Sequence, residues 1–337
     1  MANKIELKSN VKIGVVPTHI KFVGGLAPGE NGKMPRDESG ELVVVANHKL
    51  LIEQSAVDIA MTQISYFPGT DQEDTDEMIN ELKALGLEVH LILMVGGADP
   101  MKPEDEDAVV EMLSAGINIA KKHDIENVSS TSIEEWMQEG ATRKEGTDYE
   151  AAIAQNVQVH TRVYEETELA NSSIKSWHIE FLRGAEFQTF TNVGRAWDVV
   201  KAMNEKLGKK FFKILVDSAH CGDSDLDILE NIELIKQIAA ADEFESFHAS
   251  VPTTRGCVST DDGWVGALLK ASAETGKLKY VFGEIFHHDD IALEPLRAKV
   301  EGHGVDTTDG RTYDEVLMDN LKDLARRLNN MVARGIL

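Results

Sequence analysis

Eight short strand-like runs, seven of them apolar and the fourth weak, alternate with stretches of helical spacing and constrain this 337-residue chain more than any other feature. The runs fall at residues 11–17, 57–64, 87–95, 127–132, 174–182, 211–217, 245–251 and 279–286. Between and after them, 42–54, 70–85, 104–123, 150–170, 192–207, 225–240 and 263–275 repeat apolar residues at helical intervals. Gly86 and Gly276 supply helix stops. A further helix begins at 293–300, and 312–332 forms a long amphipathic closing helix. The segment 133–149 reads as irregular and charged.

Strands that alternate with helices imply a parallel sheet, because parallel neighbours need crossover connections. Eight such units at this length match a (β/α)8 TIM barrel, an α/β fold, better than an open doubly wound sheet. The open sheet would want a G-x-G-x-x-G turn after the first strand, and Gly24-Gly25 does not match it. The expectation is one barrel domain over 1–337, with an extended Gly/Pro-rich loop at about 22–41 and a C-terminal helix at about 312–332. So long a loop in a compact domain is usually functional or mobile.

Composition narrows the partners. The formal charge of −24 argues against nucleic acid or an anionic membrane as the main partner, since both are polyanions. Two cysteines, Cys221 and Cys257, exclude a disulfide framework or a four-cysteine zinc site. No run approaches the ~20 apolar residues of a spanning helix, and the first residues lack a signal-peptide core, so a cytoplasmic enzyme is expected.

In a barrel the chemistry sits at the C-terminal strand ends. Those ends in the second half carry Glu180, Asp217, His248 and Glu284, spaced 37, 31 and 36 residues apart, close to one βα unit each. Four consecutive strands thus deliver one metal-competent side chain each to the same mouth. Three carboxylates and one imidazole are mostly hard oxygen donors, suited to Mn²⁺ first, with Mg²⁺ or Co²⁺ as alternatives. His178 lies two residues before Glu180, on the same face of its strand, while Trp177, Ile179 and Phe181 face the other way. His178 is therefore a candidate proton carrier, with a buried histidine bonded to backbone as the equal alternative.

With these strand ends the chain resembles the xylose-isomerase-like TIM-barrel superfamily, particularly its D-tagatose/D-psicose 3-epimerase branch. The matching motifs are His178-Ile179-Glu180-Phe181-Leu182-Arg183, Leu215-Val216-Asp217-Ser218-Ala219-His220, Phe247-His248-Ala249-Ser250 and Phe282-Gly283-Glu284-Ile285. The resemblance implies one divalent metal on Glu180, Asp217, His248 and Glu284, with Glu180 and Glu284 also the acid/base pair. It implies substrate contact by His220, three residues after the Asp, and by Arg255, set slightly further along its loop than in the branch. The Glu-Pro-x-Asn/Asp-Arg of the branch is replaced by Glu180-Phe181-Leu182-Arg183-Gly184-Ala185-Glu186, and Gly96-Gly97-Ala98-Asp99 stands where a catalytic Glu would be sought.

The function expected is a metal-dependent sugar isomerase or epimerase that abstracts a proton beside a metal-bound carbonyl. The alternatives are a lyase of the same superfamily that cleaves 3-oxo-glycosides by elimination, including C-glycoside deglycosidases, and a non-catalytic sugar-binding barrel. A small sugar or glycoside is the expected ligand, and a homo-oligomer or a complex with a second subunit the expected assembly. His19, just past the first strand, is a candidate substrate contact. Trp264, Phe286 and His287 form a candidate wall for a sugar ring, and core packing is the commoner fate of aromatics. His48, His90, His123 and His160 are expected to be structural. Neither cysteine has a base partner patterned for nucleophilic catalysis.

Overall fold

The computed structural model describes residues 4–19, 25–256, 261–299 and 309–337. Eight parallel strands close into a barrel in sequence order: β1 Lys12–Val16, β2 Met61–Tyr66, β3 Glu88–Leu93, β4 Asn127–Ser130, β5 Ser176–Glu180, β6 Phe212–Asp217, β7 Phe244–Ala249 and β8 Tyr280–Glu284. The seam between β1 and β8 is parallel and pairs Val16 with Glu284. This is the (β/α)8 barrel expected from the alternation.

The helices around it are α1 Val43–Gln54, α2 Gln72–Ala84, α3 Glu106–Lys122, α4 Gly146–Glu166, α5 Val193–Leu207, the short α6 Ser218–Gly222, α7 Ile228–Ala240, α8 Trp264–Glu274, α9 Glu294–Lys299 and α10 Tyr313–Ala333. Helix α4 starts four residues before the expected position and stops at Glu166; a 3₁₀ turn, Leu169–Asn171, takes up its expected end. Helix α6 has no apolar periodicity and is set instead by Asp217, whose side chain accepts from the backbone N–H of Ala219 and His220. The expected helix at 293–300 is present as α9; Val300 lies outside the described residues.

Outward-facing strand residues such as Trp177, Ile179, Ile214, Val216 and Val281 join the helices in one large apolar core. The lumen is different. Among the described residues Val16, Met61 and Phe282 form a small buried apolar cluster there, packed by Ile92 and Tyr280, and much of the remaining interior is polar. Gly283 faces outward, where a Cβ would lie 2.7 Å from Asn320 Nδ2. Its missing side chain lets α10 close on β8 directly beside Glu284.

The Gly/Pro-rich loop is anchored over its described part. Asp74 of α2 accepts from Met34 N at 2.8 Å and from Arg36 Nη2 at 2.7 Å, and Gly32 O accepts from Asp71 N at 2.7 Å. Residues 22–24 of that loop lie outside the described residues. Among the described residues no helix is long and apolar enough to cross a membrane.

Candidate metal centre

The ends of β5, β6, β7 and β8 bring Glu180, Asp217, His248 and Glu284 together. One ligand atom from each lies within 4.8 Å of the others, and all four residues are buried. Register explains the level: Asp217 pairs with His248 across β6 and β7. Asp217 divides its carboxylate, with Oδ1 capping α6 at 2.7 Å from Ala219 N and Oδ2 turned to the cluster.

His248 is oriented from across the barrel. Its Nε2 donates to Gln63 Oε1 at 2.6 Å, and Gln63 Nε2 donates to Ser129 Oγ at 2.5 Å. Nδ1 is thereby aimed between Glu180 Oε1 and Glu284 Oε2, 3.4 Å from each. It is buried and has no hydrogen-bond partner. An orphaned imidazole nitrogen facing two carboxylates fits a cation site, because an unpaired buried polar atom is otherwise costly.

The electrostatics agree. Burial raises the Glu180 and Asp217 carboxyls, Asp217 well above its ordinary range even with Arg255 beside it. Burial also acts on Glu284, but Arg255 and His248 outweigh it and hold that carboxyl low. Burial opposes the charged form of His248 too, yet Glu284 and Glu180 lift it to about 10. Two carboxyls held against ionisation are what a buried acidic set shows when its positive charge is incomplete. The residues fit a divalent ion.

Arg255 stands inside the cluster rather than out in the mouth. Its Nη1 donates to Asp217 Oδ2 at 2.8 Å and its Nη2 to Glu284 Oε2 at 2.6 Å, while its guanidinium lies 4.7 Å from the Phe286 ring centroid. The residue holds a left-handed φ of 54°, and Thr253 one of 62°. That strained turn is tied down by Asp223, which accepts from Thr253 N and Oγ1, each at 2.8 Å. His220 borders the cluster, with Nε2 3.5 Å from Asp217 Oδ2 and 3.9 Å from Glu180 Oε1. Burial, then Arg255, drives its pKa well down, and its ring nitrogens face two donors, Arg183 N at 3.3 Å and Arg255 Nη1 at 3.0 Å.

His178 faces the lumen as expected but does not join this group. Its Nε2 meets Glu245 Oε1 at 3.1 Å, deeper in the barrel. Glu245 also accepts from Ser176 Oγ at 2.6 Å and from Lys213 and Lys279, each at 2.8 Å. A register shift explains the pairing: Ile214 pairs with Phe244 but Leu215 with Ser246, leaving Glu245 as an extra residue. Glu245 and His248, three apart, therefore both reach the lumen. His178 is a buried histidine satisfied by a carboxylate, not by the backbone.

His19 lies at the rim past β1, with Nε2 3.1 Å from Asp289 Oδ1 and its ring stacked on Tyr313 at 4.9 Å. Of the candidate sugar wall, Phe286 backs Arg255, His287 bonds Asp289, and Trp264 opens α8. Cys221 is buried, and burial followed by Asp217 pushes its thiol well up, unlike an activated nucleophile. Cys257 lies outside the described residues. The structural histidines behave as expected: His48 and His160 each bond a carbonyl through Nδ1 and a hydroxyl through Nε2.

Three contributors were given no role by the sequence. Gln63 sits inside an apolar run. Arg183 is buried, bonding Glu186 at 3.1 Å and Asp223 at 2.9 Å. Glu134, in the segment read as irregular, is a buried carboxylate accepting from Gln188, Thr189 and Phe190 N at 2.7, 2.9 and 2.9 Å. It fixes the loop that follows β5.

No protein-family model matches the chain, and no curated protein matches it. Solved structures do. An L-ribulose 3-epimerase superposes with a TM-score of 0.70 at 14% identity, over 96% of each chain. The D-allulose 3-epimerase of Methylomonas sp., crystallised in complex with D-allulose, gives 0.69 at 11% identity, over 96% of this chain and 99% of that one. The D-psicose 3-epimerase of Clostridium cellulolyticum H10, solved with D-tagatose, gives 0.66 at 13% identity, over 95% and 99%. The chain has the (β/α)8 barrel fold of these solved sugar epimerases. At such identities the likeness concerns the fold, and activity must be argued from the site.

Proposed function

We propose that the protein is a divalent-metal-dependent sugar isomerase or epimerase acting on a keto-sugar. The observation that carries this is the set of four buried ligand atoms within 4.8 Å, with the unpartnered Nδ1 of His248 among them. The solved sugar 3-epimerases of the same fold support it.

Glu180, Asp217, His248 and Glu284 would hold the ion, with Mn²⁺ favoured by the oxygen-rich set. Bound there, the ion would polarise a ketose carbonyl and acidify the adjacent C–H. Glu180 and Glu284 would form the acid/base pair: the one that is ionised takes the proton from one face of the sugar, and the one that carries a proton gives it at the other. Asp217 and His248 hold position, the first through its helix cap and the second through Gln63. His220 and Arg255 border the site, where they would meet substrate hydroxyls. His178, bonded to Glu245, contributes to the lumen beneath the site and not to proton transfer.

The test is incubation of the protein and Mn²⁺ with free ketoses and, separately, with 3-oxo-glycosides. EDTA-sensitive interconversion of ketoses is expected. Aglycone release without sugar interconversion would assign elimination instead, and sugar binding with no turnover of either would leave a binding barrel.

A further inference from the structure

A second cluster lies at the rim, where the loops after β1 and β8 meet. His19, His287 and Asp289 each offer a ligand atom, all within 4.8 Å of one another. His287 is buried, and its Nε2 lies 2.8 Å from the carbonyl oxygen of Arg311. A carbonyl only accepts, so the N–H of a neutral ring is committed to Nε2 and Nδ1 presents a lone pair. That lone pair lies against Asp289, facing Oδ1 and accepting weakly from the Asp289 N–H at 3.4 Å. His19 Nε2 approaches the same oxygen at 3.1 Å. Two imidazole nitrogens thus converge on one carboxylate oxygen, an arrangement that a shared cation would satisfy.

The surroundings suit one. The Arg311 carbonyl behind His287 is the outer partner that orients a metal-bound histidine. Tyr313 holds the His19 ring by stacking, at 4.9 Å with an interplanar angle of 28°. Tyr313 is itself fixed by accepting from Thr18 N at 3.1 Å. The His287 and His19 side chains are 2% and 13% exposed and that of Asp289 59%, so among the described residues the cluster opens to solvent at Asp289. Two imidazoles and one carboxylate with an open side form the donor set of a zinc-type site that keeps a position for water or a substrate oxygen.

We infer that His19, His287 and Asp289 bind a second divalent cation of the borderline, zinc-like class, distinct from the oxygen-rich centre inside the barrel. The two sites differ in softness: three carboxylates and one histidine within, two histidines and one carboxylate at the rim. A cation there ties the β8 loop to the β1 loop across the barrel seam.

The experiment is a Zn²⁺ titration of the full-length protein with its inner site first filled with Mn²⁺, repeated with Co²⁺ as a visible-absorbance reporter. Wild type is expected to take up one further equivalent, with the intense bands of four-coordinate Co²⁺. The H19Q/D289N variant, altered at the two more exposed ligands, is expected to lose that equivalent. The D217N/H248A variant is expected to lose Mn²⁺ yet keep one Zn²⁺, so failure of the inner site and of the rim site read differently. Uptake of no further Zn²⁺ by wild type, or equal uptake by H19Q/D289N, would overturn the proposal and leave a proton holding the cluster together.

Discussion

His248 donates through Nε2 to Gln63 Oε1 at 2.6 Å, a contact across 185 residues that decides which ring nitrogen faces the carboxylates. Partners of this kind typically carry a 10–100-fold share of metal affinity. Gln63→Met keeps the volume and removes the acceptor. Mn²⁺ affinity is expected to fall by about 10–100-fold, with little change in secondary structure, as read by isothermal titration and circular dichroism.

Glu180 and Glu284 flank His248 Nδ1, each at 3.4 Å, and have been given the proton transfers. Glu180→Gln and Glu284→Gln keep the shape of the side chain and remove the base. Each is expected to lower turnover by about 10²–10⁴-fold. Initial rates at saturating Mn²⁺ separate this loss from weaker metal binding.

Arg255 neutralises Asp217 and Glu284 from a fully buried position. Removing one partner of a buried ionic set costs about 3–5 kcal/mol, because the remaining charges are left uncompensated. Arg255→Met is expected to lower the stability of the metal-free protein by about that much. Added Mn²⁺ should raise its melting temperature more than it raises that of wild type, since the ion supplies the missing charge. Equal shifts in the two proteins would separate Arg255 from the cluster energetically.

His48 and His160 make stability depend on pH. Burial depresses each from an ordinary 6.5 to about 4, against a backbone carbonyl bond that favours the charged ring. Between those values only the unfolded chain takes the proton, so stability is full above about 6.5 and is lost as pH falls toward 4. The loss is roughly 3 kcal/mol per histidine over the whole window. Urea midpoints measured from pH 7 to pH 5 should fall, and His160→Gln should flatten the slope while lowering the midpoint at pH 7.

The barrel and the four strand ends were legible because both follow from short-range pattern. Apolar runs mark strands, and one metal-competent residue per βα unit survives small errors in strand boundaries. What escaped depends on distant neighbours. Gln63 is an unremarkable member of β2 until the closed barrel sets it against β7. His178 was rightly placed on the lumen face, but its partner Glu245 was hidden by a bulge, since strict alternation puts residues 245 and 248 on opposite faces. Arg255 was expected to touch substrate, and only the left-handed turn at 253–255 reveals that its guanidinium also lies among the carboxylates. The short α6 has no periodicity, and its cap, Asp217, had been read only as a ligand.

The central claim is that Glu180, Asp217, His248 and Glu284 hold one divalent ion. The direct measurement is an anomalous difference map at the manganese edge, from crystals grown with Mn²⁺. A single strong peak within bonding distance of His248 Nδ1 and oxygens of the three carboxylates is the predicted result. A map with no peak there, and Arg255 alone bridging Asp217 and Glu284, would contradict it.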